Sequence, residues 1–260
     1  MKILNFSFAT KLTFDNYVHD HSFALRCLPI ESSTQHIVSC EMNISPFVPT
    51  KNTVDAFGNT VTSGYISKEH RFLDFEISGR AEIDVSKPKT DFMPCYLYQS
   101  EYTKPNKKLL DFYREISAKC NKKNPFERAV FFSDILSDLV QYEKGVTDTK
   151  TTAVQAFELK KGVCQDFSHI MLALLRMDNI PCRYIAGLAA CDGETHSWIE
   201  IWDGGKWLGF DPANNCPVNE DYLVLSQGRD FGDCSIDRGV MFGAYTKQLQ
   251  LITSSLKTAY

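Results

Sequence analysis

The chain has 260 residues, 43% hydrophobic and 23% charged, with 28 Lys and Arg against 32 Asp and Glu. This balance excludes wholesale disorder, collagen and coiled coil, and a net charge of −4 offers no basic surface for nucleic acid. No apolar run reaches the ~18 residues of a membrane span, so no membrane partner is expected. The N-terminal MKILNFSFATKLTF lacks the apolar core and cleavage site of a secretory signal and reads as mature, cytoplasmic protein. Nine cysteines, an odd count with no C-x-x-C pair, fit free thiols in a reducing compartment better than a disulfide framework or a zinc knuckle.

The first hundred residues predict strands. Phe23–Leu28, His36–Met42 and Arg71–Ile77 are short, β-prone and separated by turn material such as Ser45-Pro46 and Phe57-Gly58-Asn59. This spacing predicts an antiparallel β-sandwich over 1–95, with a linker near 86–100 and a second domain over 96–260. Leu109, Phe112, Tyr113 and Ile116 then fall on one helical face. Asn124-Pro125 predicts a second helix, with Asn as N-cap, Pro at the first position and Gly145 at its end. Thr151-Thr152 starts a short helix that stops near Gly162. In Cys164–Met177 the residues Phe167, Ile170, Met171, Leu174 and Leu175 repeat at helical spacing, and Pro181 follows. Strands come next, over 182–189, 195–202 and 207–211, with Asp203-Gly-Gly-Lys206 as a tight turn. The second half is therefore α+β.

Cys164 stands at the start of a helix, where unpaired N–H groups and the macrodipole favour a thiolate. A cysteine there is also compatible with simple burial, so its partners decide the matter. His196 lies on a strand whose alternation puts it on one face with Trp198, Glu200 and Trp202. If residues 203 and 206 pair across the Gly204-Gly205 turn, Trp198 faces Asp211 and His196 lies on the diagonal from it, within reach of the carboxylate. A slip of two residues would set His196 directly opposite Asp211. A helix-starting Cys, a strand His and an Asp on the partner strand together suit nucleophilic acyl transfer. Trp198, Trp202 and Trp207 flank this group. They are candidates to line a substrate groove, Trp198 first, and equally to be cross-strand packing. Gln155 and Tyr142 are candidate second oxyanion donors beside the Cys164 N–H. Cys164 with His169, and His19 with His21, do not supply converging ligand sets, so no metal is expected.

Three blocks carry a resemblance: Gly162-Val-Cys164-Gln-Asp-Phe167, Thr195-His196-Ser-Trp198-Ile-Glu200, and Trp207-Leu-Gly-Phe-Asp211-Pro212-Ala-Asn-Asn215. In this order they resemble the transglutaminase-like superfamily. Asp55-Ala-Phe57-Gly58-Asn59, Arg183-Tyr184 and Gln227-Gly228-Arg229-Asp230 resemble its bacterial two-domain members. The departures are small: Ser197 stands where Ala is usual, and Ala213 where Thr is common. The resemblance implies a papain-related α+β core with Cys164 as nucleophile, His196 as general acid and base, and Asp211 as its orienting partner. It implies acyl transfer on peptide or protein substrates without a cofactor, and fixes the first half of that reaction but not the acceptor, since the superfamily includes peptidases and amidases. Crosslinking transglutaminases and non-catalytic members remain alternatives. No calcium loop of the D-x-[DN]-x-[DN]-G type is present, and water needs no second substrate site, so hydrolysis is the expectation. The oligomeric state is not legible.

Overall fold

A computed structural model of the protein describes residues 1–190 and 194–259. Cys191 lies outside the described residues, and the other cysteines are free thiols.

The chain opens with five strands, β1 (Lys2–Leu25), β2 (Gln35–Ser45), β3 (Thr50–Val54), β4 (Thr60–Ile66) and β5 (His70–Ile83). Strand β1 runs for 24 residues. Leu4, Phe6, Phe8, Leu12 and Phe14 are buried on one face at a period of two, with Thr10 buried among them, while the alternate residues point outward. Each such apolar side chain contributes roughly 1.5–3 kcal/mol on burial. Register breaks between Thr13 and Val18, and between His19 and Ser22, let β1 serve both halves of a folded antiparallel sheet.

A linker with a 3-10 turn at Pro94–Leu97 leads to α1 (Lys107–Lys119) and α2 (Pro125–Leu139). Asn106 and Asn124 cap these helices by accepting from the Leu109 and Glu127 N–H groups. Helix α2 stops at Leu139, short of Gly145, because the chain turns at once into β6 (Gln141–Tyr142). Next come α3 (Ala153–Leu159), β7 (Lys161–Gly162) and α4 (Cys164–Met177). Thr152 caps α3 as expected, but Lys160 in the left-handed region (φ 56°) ends it, and Gly162 joins β7 beside β6. Helix α4 is buried from Asp166 to Arg176. It packs against β8 (Cys182–Ala189) and β9 (His196–Asp203), which explains its apolar run.

Strand β10 (Lys206–Asp211) pairs with β9 through the Gly204-Gly205 turn, where both glycines have positive φ (59° and 85°). Then follow β11 (Cys216–Pro217), β12 (Tyr222–Gly228), the short α5 (Phe231–Cys234), β13 (Asp237–Gly243) and β14 (Gln248–Thr258). The second sheet has the order β11-β10-β9-β8-β12. The fold is thus an N-terminal antiparallel β unit followed by a papain-like α+β core.

The expected division at residue 95 needs one correction. Strands β13 and β14 return to the first sheet and pair with β1. Pairing across more than two hundred residues leaves no local periodicity to announce it.

Two polar contacts lock the units together. The Asn59 amide bonds both the N–H and the C=O of Gln227, at 2.7 and 2.8 Å, so the 55–59 turn is clamped to β12. Arg183 is fully buried, bonds Glu200 at 2.7 Å and Asp91 at 2.6 Å, and lies 4.3 Å from the Trp207 ring centroid. Lys89 reaches Glu200 at 3.2 Å, so the linker is pinned to the second sheet by buried charges that satisfy one another.

Candidate active site

Cys164 is the first residue of α4, and Val163 before it carries no side-chain acceptor. The Cys164 N–H therefore has no capping partner among the described residues. The entry to the helix is held from within. Asp166 Oδ2 accepts from the Val163 N–H at 2.8 Å and from the Thr147 hydroxyl at 2.7 Å. Gly162 is required by this arrangement, since a Cβ there would lie 2.5 Å from Asp166 Oδ2. Asp166 is thus a buried entry clamp as well as a first-turn acid, and its position three residues after Val163 is the sequence signal for it. Burial pushes its carboxyl up.

His196 begins β9 and is almost fully buried. Lys206 pairs with Asp203 and Phe210 with Ile199, the register expected from the Gly-Gly turn, which leaves Asp211 at the end of β10 diagonal to His196. The His196 Nε2 donates to Asp211 Oδ2 at 2.6 Å. The same carboxylate takes the Asn214 amide at 2.7 Å, the Tyr222 hydroxyl at 2.9 Å, and the Ala213 and Asn214 N–H groups at 3.0 and 3.2 Å. Asp211 is fully buried. Burial alone would raise its pKa, but His196 and these donors hold it below the usual carboxylate range. Asn214 and Tyr222 were not found from sequence. Asn214, three residues after an Asp-Pro turn, carried a local signal, whereas Tyr222 reaches the site from β12 and carried none.

Burial disfavours the His196 imidazolium, yet hydrogen bonds to Asp211 and Cys164, together with their charges, outweigh it and push the group up to about 10. Cys164, His196 and Asp211 are thereby brought together. A sulfur nucleophile beside an imidazolium aligned by a buried carboxylate can attack a carbonyl and protonate a leaving group.

Cys164 and His196 open onto a cleft of about 450 Å³. Tyr142 and Gln165 line one side, and Asp237, Gln248, Gln250 and Ile252 another. The second wall comes from β13 and β14, so the β unit completes the cleft. Of the two candidate oxyanion donors, Tyr142 lines the cleft. Gln155 instead closes the cap of α3, with Oε1 accepting from the Thr152 N–H at 2.8 Å.

The structure places Trp198 outside the lining of this cleft. Its ring is 1% exposed and packs with Ile185, Ala189 and Tyr222, 5.1 Å edge-on to the Tyr222 ring. It lines a separate cavity of about 230 Å³ behind His196, shared with Lys89 and Glu200. Trp198 shares the face of His196, with their rings 6.3 Å apart, but both faces of this strand are buried. Trp202 and Trp207 pack 5.1 Å apart at the linker.

Residues 114–212 match the family model of the transglutaminase-like superfamily core, and residues 4–82 match that of the bacterial transglutaminase-like N-terminal region. The chain belongs to the transglutaminase-like superfamily.

Relatives match it over most of its length. Uncharacterized protein ML0607 of Mycobacterium leprae is 24% identical, with 90% of this chain and 91% of that protein covered. Uncharacterized protein Rv2569c of Mycobacterium tuberculosis is 27% identical, with 82% and 79% covered. The crystal structure of a "Putative Cysteine Protease" from Cytophaga hutchinsonii superposes with a TM-score of 0.79 over 97% of this chain and 90% of that one, at 19% identity, which is a likeness of fold. In this transglutaminase-like chain the two matched regions are the β unit and the segment that carries Cys164, His196 and Asp211.

Proposed function

We propose that this chain is a cysteine hydrolase that cleaves peptide or isopeptide amides through a thioester. The observation that carries the reading is the junction of Cys164 at an uncapped helix start with a His196 held by buried Asp211. The Cys164 thiolate attacks the amide carbonyl, and the developing oxyanion meets the Cys164 N–H. The His196 imidazolium gives its proton to the departing nitrogen, the C–N bond breaks, and an acyl-Cys164 thioester and a free amine result. Neutral His196 then takes a proton from water as the oxygen attacks the thioester. Collapse releases the acid and restores the thiolate–imidazolium pair. Asp211 keeps its charge throughout and fixes the ring.

The test supplies the purified chain with quenched peptide and isopeptide substrates and an excess of a labelled primary amine. Hydrolysis that disappears in Cys164→Ala is expected. Stable amine incorporation exceeding hydrolysis would make the chain a crosslinking transglutaminase instead, and labelling that persists in Cys164→Ala would move the nucleophile elsewhere.

A further inference from the structure

The cleft wall built by β13 and β14 carries a carboxylate that the hydrolytic scheme leaves unused. Asp237 opens β13 and lines the same cleft as Cys164 and His196. Its Oδ2 accepts from the Gln250 amide of β14 at 3.1 Å, and no cationic group pairs with it among the described residues. The other carboxylate lining the cleft, Glu194, is already engaged, with Lys144 Nζ at 3.0 Å. Among the described residues that line the cleft, Asp237 is thus the carboxylate without an ion-pair partner. Partial burial pushes its carboxyl up, and a cation beside it would favour the charged form.

From this placement we infer that Asp237 is a specificity-determining residue, which receives an alkylammonium or guanidinium group on the substrate. The inference rests on the proposed acyl transfer for the identity of that substrate, an amide with a cationic substituent near the carbonyl. It does not rest on that scheme for the binding of the cation. Gln250 fixes the carboxylate by donating to one of its oxygens. The β unit thereby selects what reaches a thiol that the other unit supplies.

The experiment measures second-order labelling rates at Cys164, resolved by peptide mass spectrometry, for three methanethiosulfonates: trimethylammonioethyl, methyl and sulfonatoethyl. In the native chain the cationic reagent is the fastest. In Asp237→Asn the cationic-to-neutral ratio falls about fivefold, the order expected for one unit charge at contact distance screened as in water. In the native chain at 0.5 M salt the ratio also falls, which keeps the inference testable should the variant not fold. A ratio equal in the native chain and Asp237→Asn, a native chain with no preference for the cation, or a Cys164 unreactive towards all three reagents overturns the inference.

A second arm uses peptide amides. Acetyl-lysyl and unblocked norleucyl peptides separate a side-chain cation from an N-terminal one. Preference for either over an acetyl-norleucyl peptide, lost in Asp237→Asn, is expected, and equal rates for all three contradict the assignment. Cation-selective labelling with no amide cleaved would retain Asp237 as a cation site and reject the hydrolytic reading alone.

Discussion

The Tyr222 hydroxyl donates to Asp211 Oδ2 at 2.9 Å, the same oxygen that takes the His196 Nε2 at 2.6 Å. One buried oxygen thus holds both the ring that moves the proton and a tyrosine from the far strand of the sheet. Tyr222→Phe removes a charge-assisted hydrogen bond while keeping the ring, and should cost about 1.5–3 kcal/mol of stability. Activity should fall about tenfold through kcat, with KM little changed, because the tyrosine acts through Asp211. Steady-state kinetics beside a urea melt check both.

Asp211→Asn keeps the shape of the site but replaces an acceptor with a group that is also a donor. The His196 ring then loses the partner that fixes its tautomer. A fall in kcat on the order of 10³–10⁴ is expected, by analogy with the same substitution in serine-protease triads. The backbone donors of Ala213 and Asn214 keep one acceptor oxygen, so the chain should still fold, as circular dichroism would show.

Trp198→Leu separates packing from substrate contact. A fully buried aromatic ring replaced by a smaller side chain should cost about 2–4 kcal/mol and lower the melting temperature by several degrees. KM should stay near the native value, because Trp198 does not line the Cys164 cleft. A large rise in KM with unchanged stability would return Trp198 to the substrate site.

Glu200 accepts from both Arg183 and Lys89 in a buried setting. Glu200→Gln leaves Lys89 uncompensated and Arg183 with Asp91 alone, and should cost about 3–5 kcal/mol. Burial raises the Glu200 and Asp91 carboxyls, but Lys89 and Arg183 outweigh it and hold both below their ordinary range. Their contribution is therefore present above pH ~4.5 and is lost as pH falls through the lower folded values. Chemical denaturation between pH 3 and 7 should show this loss, and Glu200→Gln should flatten it.

The part of the candidate site that lies in local sequence was legible. Cys164 is marked by a helix that starts on it, and His196 and Asp211 by strand alternation plus a Gly-Gly turn that fixes the register. The parts that come from distant strands were not. Asp237, Gln250 and Tyr222 arrive at the cleft through pairings whose partners lie far along the chain, and no period in their own segments signals it. The long β1 was hidden for another reason. Its outward face carries Lys11, Thr13, Asp15 and Asn16, and its register breaks interrupt the alternation, so only its last residues read as strand. Trp198 shows the limit of face assignment, since knowing which residues share a face does not tell what covers it.

The pairing of Cys164 with His196 has a direct readout in the imidazole itself. Because its pKa is raised to about 10, the stability this group contributes is fully present below pH ~6.5 and is lost as pH rises through about 10. Part of the raise comes from Cys164, so removing the thiol must lower it. The decisive measurement is an NMR titration of the His196 ring in the native chain and in Cys164→Ala. The account predicts an imidazolium that persists well above pH 7 in the native chain and a pKa at least one unit lower in the variant. A native His196 titrating near 6.5, or a value unmoved by loss of the thiol, would contradict it.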